Sequence, residues 1–346
     1  MLTNGPPTAA IIGFGQQGRE CFDAIAQHLD IIALVDPKFF FPADNTAYVD
    51  SAEKRHFRGE IYRDVNNLLE EAAFDLAFVC VPHAFHTEIS CKLLRAGKSV
   101  IKEKPFAPNV DQADLLIEAH LVKGASLLTI CQRSSSQIFD IAENQLPTVG
   151  SAYAFHYQYF LSRPNTDGWR TRRDLAHGGV LLDMGYHLVD ITRRFFGVPD
   201  FVNCSRAYAD SHMLSEGLED YAAVQLIYPA SGIVGTLLLG RHYHKKIEKL
   251  EIFGSKGVLE VEPMHGINIS TIPIGQKMPA LTPNPVDNLY KDNIISMLGN
   301  VRDKNFVKQD ISAHYNNTRI IEMIYGAENR QVMNTPQSNG TAGTRL

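Results

Sequence analysis

From residue 8 the chain alternates short, continuously apolar runs with stretches whose apolar positions recur at helical spacing. "TAAIIG" leads into a helical pattern over 16–29, and "IIALVD" follows; after a loop to about residue 60 come "DVNNLLEEAA" and "DLAFVCVP". The beat continues through a helix over 84–96, the strand "KSVI", a helix over 109–123 that opens after Pro108, and the strand "SLLTI" at 126–130. Apolar runs without alternation are strands buried on both faces, and their regular exchange with helices predicts βαβ units around a parallel sheet. After about residue 150 the texture changes to long alternating stretches, "YAAVQLIY", "GIVGTLLLGRHY", "KLEIFG" and "GVLEVE". These predict an open, mostly antiparallel sheet with helices on one face. Further helices are predicted over 178–197 and 310–329. The fold class is therefore α/β, with a doubly wound parallel sheet over 1–130 and an α+β domain over 131–330. The remaining segment, 331–346, is polar and glycine-bearing and predicts disorder.

Composition narrows the class without choosing within it. The 346 residues are 45% hydrophobic and 21% charged, with a formal net charge of −5 and a pI near 6.2. Such a chain is long enough for two cores and a cleft between them, and it lacks the basic excess of a nucleic-acid binder. No apolar run reaches the ~18 residues of a membrane span, and "MLTNGPPTAA" has neither the charged nor the apolar block of a signal peptide, so the expected location is the cytoplasm. Five cysteines (21, 80, 91, 131 and 204) form no C-x-x-C pair and are expected to be reduced and buried.

The first strand ends in "GFGQQG", which places Gly13, Gly15 and Gly18 as G-x-G-x-x-G between a strand and a helix. In that context Gly13 permits the tight turn, Gly15 admits a pyrophosphate against the backbone, and Gly18 lets helix and strand pack closely. The helix N-terminus supplies N–H donors to the anion. Asp36 closes the second strand 21 residues beyond Gly15, the spacing of a carboxylate that takes ribose hydroxyls. It predicts NAD as cofactor, with NADP open because Lys38 lies two residues on. Phe14, Gln16 and Gln17 in the loop, and Pro37 after the acid, are counted among the cofactor contacts.

"IKEKP" at 101–105 then puts Lys104 at the carboxyl end of a parallel strand, where ligands of such sheets bind. Pro105 aims the lysine into that crevice, and Glu103 orients or balances it. A second constellation, "GGVLLDMGYHLVD", opens on Gly178 and Gly179 and sets Asp183 and His187 four residues apart on one helical face. A carboxylate and an imidazole so placed can fix a tautomer, hold a substrate hydroxyl and move a proton near neutral pH. His83 with His86, and His242 with His244, are two-ligand fragments without further partners at metal-site spacing, so no metal is predicted.

Taken together, "AIIGFGQQG", Asp36, "VPHAFHTEISCKLLRAGKSVIKEKP" and "GGVLLDMGYHLVDI", with "IFGSKGVLEVE", resemble the Gfo/Idh/MocA family of glucose-fructose oxidoreductase and inositol 2-dehydrogenase. The resemblance covers about residues 8–330. It implies a Rossmann domain followed by an α/β domain whose open sheet covers the nicotinamide and mediates assembly, as a homodimer or homotetramer. It also implies that Lys104, Asp183 and His187 form the catalytic cluster, that Val81, Pro82, His86 and Glu103 lie near the cofactor, and that Arg133 sits where the chain crosses between domains. The implied reaction is hydride transfer between a nicotinamide and a secondary alcohol of a polyol, inositol, sugar or aminosugar. Trp169 and Arg170 are expected to contact that substrate, with His156, Tyr159, Tyr243 and His244 as further contacts. An NAD-dependent glycosidase or a non-catalytic sensor of the same fold are the alternatives. The sequence departs from the family pattern at His177, where many members have a third glycine, and in "CQRSSSQIF", which lacks the usual proline after the arginine.

Overall fold

The computed structural model describes residues 7–41, 45–163, 168–263, 265–271 and 288–327. The tail expected to be disordered lies outside them. The first half builds β1 (Thr8–Ile12), α1 (Gln16–Ile25), β2 (Asp30–Val35), α2 (Asn45–Glu53), β3 (Glu60–Tyr62), α3 (Val65–Glu71), β4 (Leu76–Val79), α4 (His83–Arg95), β5 (Ser99–Glu103), α5 (Val110–Lys123) and β6 (Leu127–Ile130). Its strands form one parallel sheet in the order β3-β2-β1-β4-β5-β6. β1, β4 and β6 are buried almost throughout, as the unbroken apolar runs require. The order reverses between β1 and β4, and the crevice at such a switch point is where doubly wound sheets bind ligands.

After α6 (Gln137–Gln145) the chain enters a second sheet through β7 (Ala152–Ser162). There follow α7 (Arg173–Ala176), α8 (Tyr186–Phe196), β8 (Phe201–Ala207), α9 (Ser211–Glu216), β9 (Tyr221–Tyr228), β10 (Ile233–Gly240), β11 (His242–Gly254), β12 (Gly257–Glu262), β13 (Gly266–Thr271), α10 (Leu289–Asn300) and α11 (Lys304–Gly326). The order is β13-β12-β11-β7-β10-β9-β8, and every neighbouring pair is antiparallel except β7 with β10. The last two helices turn back to the first sheet: α10 packs on α1, and α11 on β6 and α5. Asp310 of α11 accepts a hydrogen bond from the Thr129 amide (3.0 Å), and the Tyr290 hydroxyl of α10 donates to Glu103 (2.7 Å).

The helix expected over 178–197 is not uniform. Residues Leu181–Gly185 form a π-turn that runs directly into α8. Gly178 and Gly179 precede it because the chain passes too close to its neighbours for a side chain: a Cβ on Gly179 would stand 2.2 Å from the Glu219 carbonyl oxygen, and one on Gly178 2.3 Å from the Tyr325 hydroxyl. Glu219 then fastens the turn, accepting from the Leu181 amide (2.9 Å) and the Tyr325 hydroxyl (2.8 Å). His177, where a glycine was expected, has φ +61°, so the left-handed backbone of a glycine persists under a histidine side chain.

Candidate active site

The glycine loop is shaped as its spacing requires. Gly13 has φ +87°, and a Cβ there would lie 2.5 Å from the Cys80 carbonyl oxygen; one on Gly18 would lie 1.9 Å from that of Gly13. Gly15 is different, since among the described residues a Cβ would meet nothing within 4 Å. Two glycines thus serve packing, and the third keeps an open cradle at the N-terminus of α1. Asp36 is buried and ties the loop together: Oδ2 accepts from the Phe14 amide (2.8 Å) and Oδ1 from the Lys38 amide (3.0 Å). Phe14 is buried, and Pro37 opens the short helix capped by Asp36. Gln16 and Gln17 are bonded to Glu20 on the exposed face of α1.

Across the switch point, Pro82 caps α4, and His86 turns back to donate from Nε2 to the Val81 carbonyl (2.8 Å). Its Nδ1 is buried, with no partner among the described residues. Burial, seconded by Lys102, holds His86 well below the usual imidazole range, so its ring is neutral. His83 donates from Nδ1 to the Ala176 carbonyl (2.9 Å), and burial lowers it to about 3. These two histidines point to backbone oxygens. Among the described residues no group of three or more His, Cys, Asp or Glu side chains is placed to hold a metal.

At the end of β5 the three charges of "IKEKP" take three different environments. Lys102 is fully buried and donates to the carbonyls of Glu103, Pro105 and Phe106, bracing the turn that follows Lys104. Glu103 accepts from Tyr290, although burial pushes its carboxyl up. Lys104, whose bond to Pro105 is cis, reaches across to the π-turn, donating to the Asp183 carbonyl (2.9 Å) and to its Oδ1 (2.6 Å).

Asp183 is the hub. Its Oδ2 accepts from Arg170 Nε (2.9 Å) and from Arg241, while Oδ1 pairs with Lys104. Burial alone would raise this carboxyl, but Lys104, Arg170 and Arg241 hold it well below the usual range. Arg170 lies 4.2 Å above the Trp169 ring, and Trp169 meets His83 edge-on at 4.7 Å. His187 stands on the same face but does not bond to Asp183. Its Nδ1 faces Cys131 Sγ at 3.4 Å, and burial together with the charge of Asp190 keeps that thiol protonated. Asp190 accepts from Arg193 and Asn317 and is held ionised, so its charge draws the thiol proton and favours the tautomer in which the sulfur accepts from His187 Nδ1–H. The acceptor nitrogen of His187 is then Nε2. Burial, and next Lys104, lowers this imidazole well below its usual range.

The structure brings Lys104, Asp183, His187, Trp169 and Arg170 together with Arg241, Cys131 and His83. Those last three are not among the expected substrate or catalytic residues: His83 reads only as a metal-ligand fragment, Cys131 only as a buried thiol, and the signal available for Arg241 is a cation immediately after "LLLG", at the strand end. Arg133 bonds Glu248 and the Tyr159 hydroxyl, linking the exit of β6 to the second sheet. His156 is corrected. Along β7 the inward positions are Phe155, Tyr157 and Tyr159, so His156 faces the opposite side, exposed and edge-on to Phe253. Tyr243 and His244 are exposed too, their rings in tilted contact, and Tyr243 also meets Phe160.

Two family models match the chain. Residues 8–129 match an oxidoreductase family described as having an NAD-binding Rossmann fold, and residues 141–260 match the GFO/IDH/MocA C-terminal domain. A putative UDP-kanosamine synthase oxidoreductase subunit of Amycolatopsis mediterranei is 31% identical over 198 residues, 56% of this chain and 52% of that protein. The scyllo-inositol 2-dehydrogenase (NADP(+)) IolU of Bacillus subtilis is 25% identical over 234 residues, 63% of this chain and 68% of that protein. The chain thus spans about half the length of the first relative. In fold it is similar to KijD10, a 3-ketoreductase from Actinomadura kijaniata solved with NADP and TDP-benzene, with a TM-score of 0.80, 19% identity, and 94% of this chain and 99% of that one covered.

Proposed function

The chain belongs to the GFO/IDH/MocA oxidoreductase family, and from that premise we propose that it transfers a hydride between a nicotinamide dinucleotide and a secondary alcohol of a polyol, inositol, sugar or aminosugar. The observation that carries this is the meeting of Lys104, Asp183 and His187 at the carboxyl end of β5, beside a glycine loop with an open cradle at Gly15. The bound nicotinamide supplies the hydride acceptor or donor. The open cradle and the α1 N-terminus fit its pyrophosphate, and Asp36 fits its ribose. Asp36 already serves two amides, but each carboxylate oxygen keeps a further lone-pair direction for a hydroxyl.

In the oxidising direction His187 Nε2 takes the hydroxyl proton. Lys104 spends two hydrogen bonds on Asp183 and retains a third N–H for the same substrate oxygen, stabilising negative charge as it develops. Asp183 acts on the lysine and not on the histidine, whose tautomer is set by Cys131 and Asp190. A panel of polyols, inositols, hexoses and aminosugars, tested with both cofactors and read by reduced-nicotinamide absorbance, checks the proposal. Turnover of none of them, by protein that binds NADH, overturns it.

Cofactor choice yields a separate expectation. The Asp36 carboxylate repels a 2′-phosphate, so NADH should bind more tightly than NADPH, and Asp36→Ser should narrow the gap. The measurement is a pair of dissociation constants. A tenfold advantage for NADPH in the unmodified protein, about 1.4 kcal/mol, would reverse the assignment.

A further inference from the structure

Asp183 is one carboxylate answered by three cations. Lys104 holds Oδ1, while Arg170 and Arg241 converge on Oδ2. One negative charge offsets one of the three, and the groups packed around the cluster do not supply the difference. Burial keeps His83 and His187 neutral. Arg133 is matched by Glu248. Asp220 accepts from the Ala209 amide and faces His242 at 3.5 Å, and among the described residues it forms no ion pair with Lys104, Arg170 or Arg241. Glu103, held by Tyr290, offsets at most one more charge. Uncompensated charge in a buried site is costly, so a site that carries it is incomplete until an anion enters.

The two arginines are arranged to receive one. Arg241 has only 5% of its side chain exposed, whereas Arg170, at 42%, is open to solvent. The Arg170 guanidinium lies 4.2 Å from the centre of the Trp169 ring, which His83 meets edge-on, so the ring contact and the bond to Asp183 together restrain it before any ligand arrives. Asp183 uses only its Nε. Among the described residues neither terminal nitrogen of Arg170 has a hydrogen-bond partner, and Arg241 Nε is buried with none. Free N–H edges on a fixed guanidinium are the geometry that takes a carboxylate or phosphate in a two-pronged bond.

We propose that Arg170 and Arg241 form an anion subsite, and that the substrate of this oxidoreductase carries a carboxylate or phosphate group on the molecule whose hydroxyl reacts. This rests on the hydride-transfer function for the word substrate, and not for the anion. Neutral polyols would leave the excess charge of the cluster unmet.

Isothermal titration of the NADH-saturated protein with D-glucose, D-glucuronate, D-glucose 6-phosphate and UDP-glucose tests it. At least one anionic ligand should bind about tenfold or more tightly than glucose, with the ratio shrinking as salt is raised. The better of glucuronate and the two phosphates identifies the anion. Arg170→Gln should bring the ratio below about threefold while NADH still binds, and Arg170→Lys, which keeps the charge without the fork, should fall between. Equal binding of all four ligands, binding of none, or a preference unchanged in Arg170→Gln overturns the subsite. Because the titration needs no turnover, anion preference in a protein inactive on every alcohol would count against hydride transfer alone. Turnover of neutral polyols without anion preference would count against the subsite alone.

Discussion

Gly15→Val should leave a folded protein that no longer binds NADH. The expectation separates the glycines of one motif by what a side chain would meet at each. At Gly13 and Gly18 a Cβ strikes backbone oxygens at 2.5 and 1.9 Å, so substitution there disturbs the junction of strand and helix before any ligand is involved. At Gly15 the backbone has φ −69°, an ordinary value for any residue, and an added Cβ meets none of the described residues within 4 Å. Valine therefore costs the fold little beyond a weaker helix cap, a few tenths of a kcal/mol to about 1 kcal/mol. It does fill the cradle at the α1 N-terminus, where the pyrophosphate must approach the backbone. Affinity for NADH should fall by ~10² or more, about 2.7 kcal/mol, with a melting temperature within a few degrees of the unmodified protein. Gly18→Val is the contrast, and should lower the melting temperature itself. Undiminished NADH affinity in folded Gly15→Val would remove the dinucleotide site from this loop.

Much of this site was legible because its first half depends on local pattern. Strands buried on both faces read as unbroken apolar runs, and the order of the first sheet follows from βαβ units wound in one hand. What escaped was set by partners distant in sequence. Asp36 looks like a ribose ligand from its spacing, yet its oxygens also lock the Phe14 and Lys38 amides. Asp183 and His187 are one turn apart in an ideal helix, which suggested a carboxylate working on an imidazole. The π-turn over 181–185 and the cations at 104, 170 and 241 take the carboxylate instead, and a thiol at 131 takes the imidazole. No local periodicity encodes those meetings. The parallel pairing of β7 with β10 is likewise a tertiary choice, since each strand alternates in the same way whichever direction its neighbour runs. α2 was missed because its face is too evenly polar to show a helical stripe. His156 was a different kind of error. It and Tyr159 are an odd number of residues apart on one strand and cannot face the same side, so strand parity alone would have excluded it.

Lys104→Met should reduce turnover by ~10² or more while changing NADH affinity little. Methionine preserves the length and apolar stem of the lysine, so the extended end of β5, braced from behind by Lys102, keeps its shape. What disappears is the ion pair to Asp183 and the one N–H free for the reacting oxygen. Arg170 and Arg241 still hold Oδ2, so the carboxylate is not stranded and the loss reports on chemistry more than on folding. A pH profile separates this from general damage. In the unmodified protein burial and Lys104 both lower the His187 imidazole, so the basic Nε2 remains available below its ordinary pKa of about 6.5, and the acid limb of kcat/KM lies below that pH. Deleting the Lys104 charge removes the second largest of the three lowering influences, which are burial, Lys104 and Arg133. The residual activity of Lys104→Met should therefore show an acid limb displaced to higher pH, whereas a merely distorted site would lose rate without moving the limb. His187→Ala should also cost ~10² or more, and the double variant should lose less than the product of the single losses, because both groups act on one oxygen. Full activity in Lys104→Met, on a substrate found in the panel, would return this lysine to a structural ion pair with Asp183.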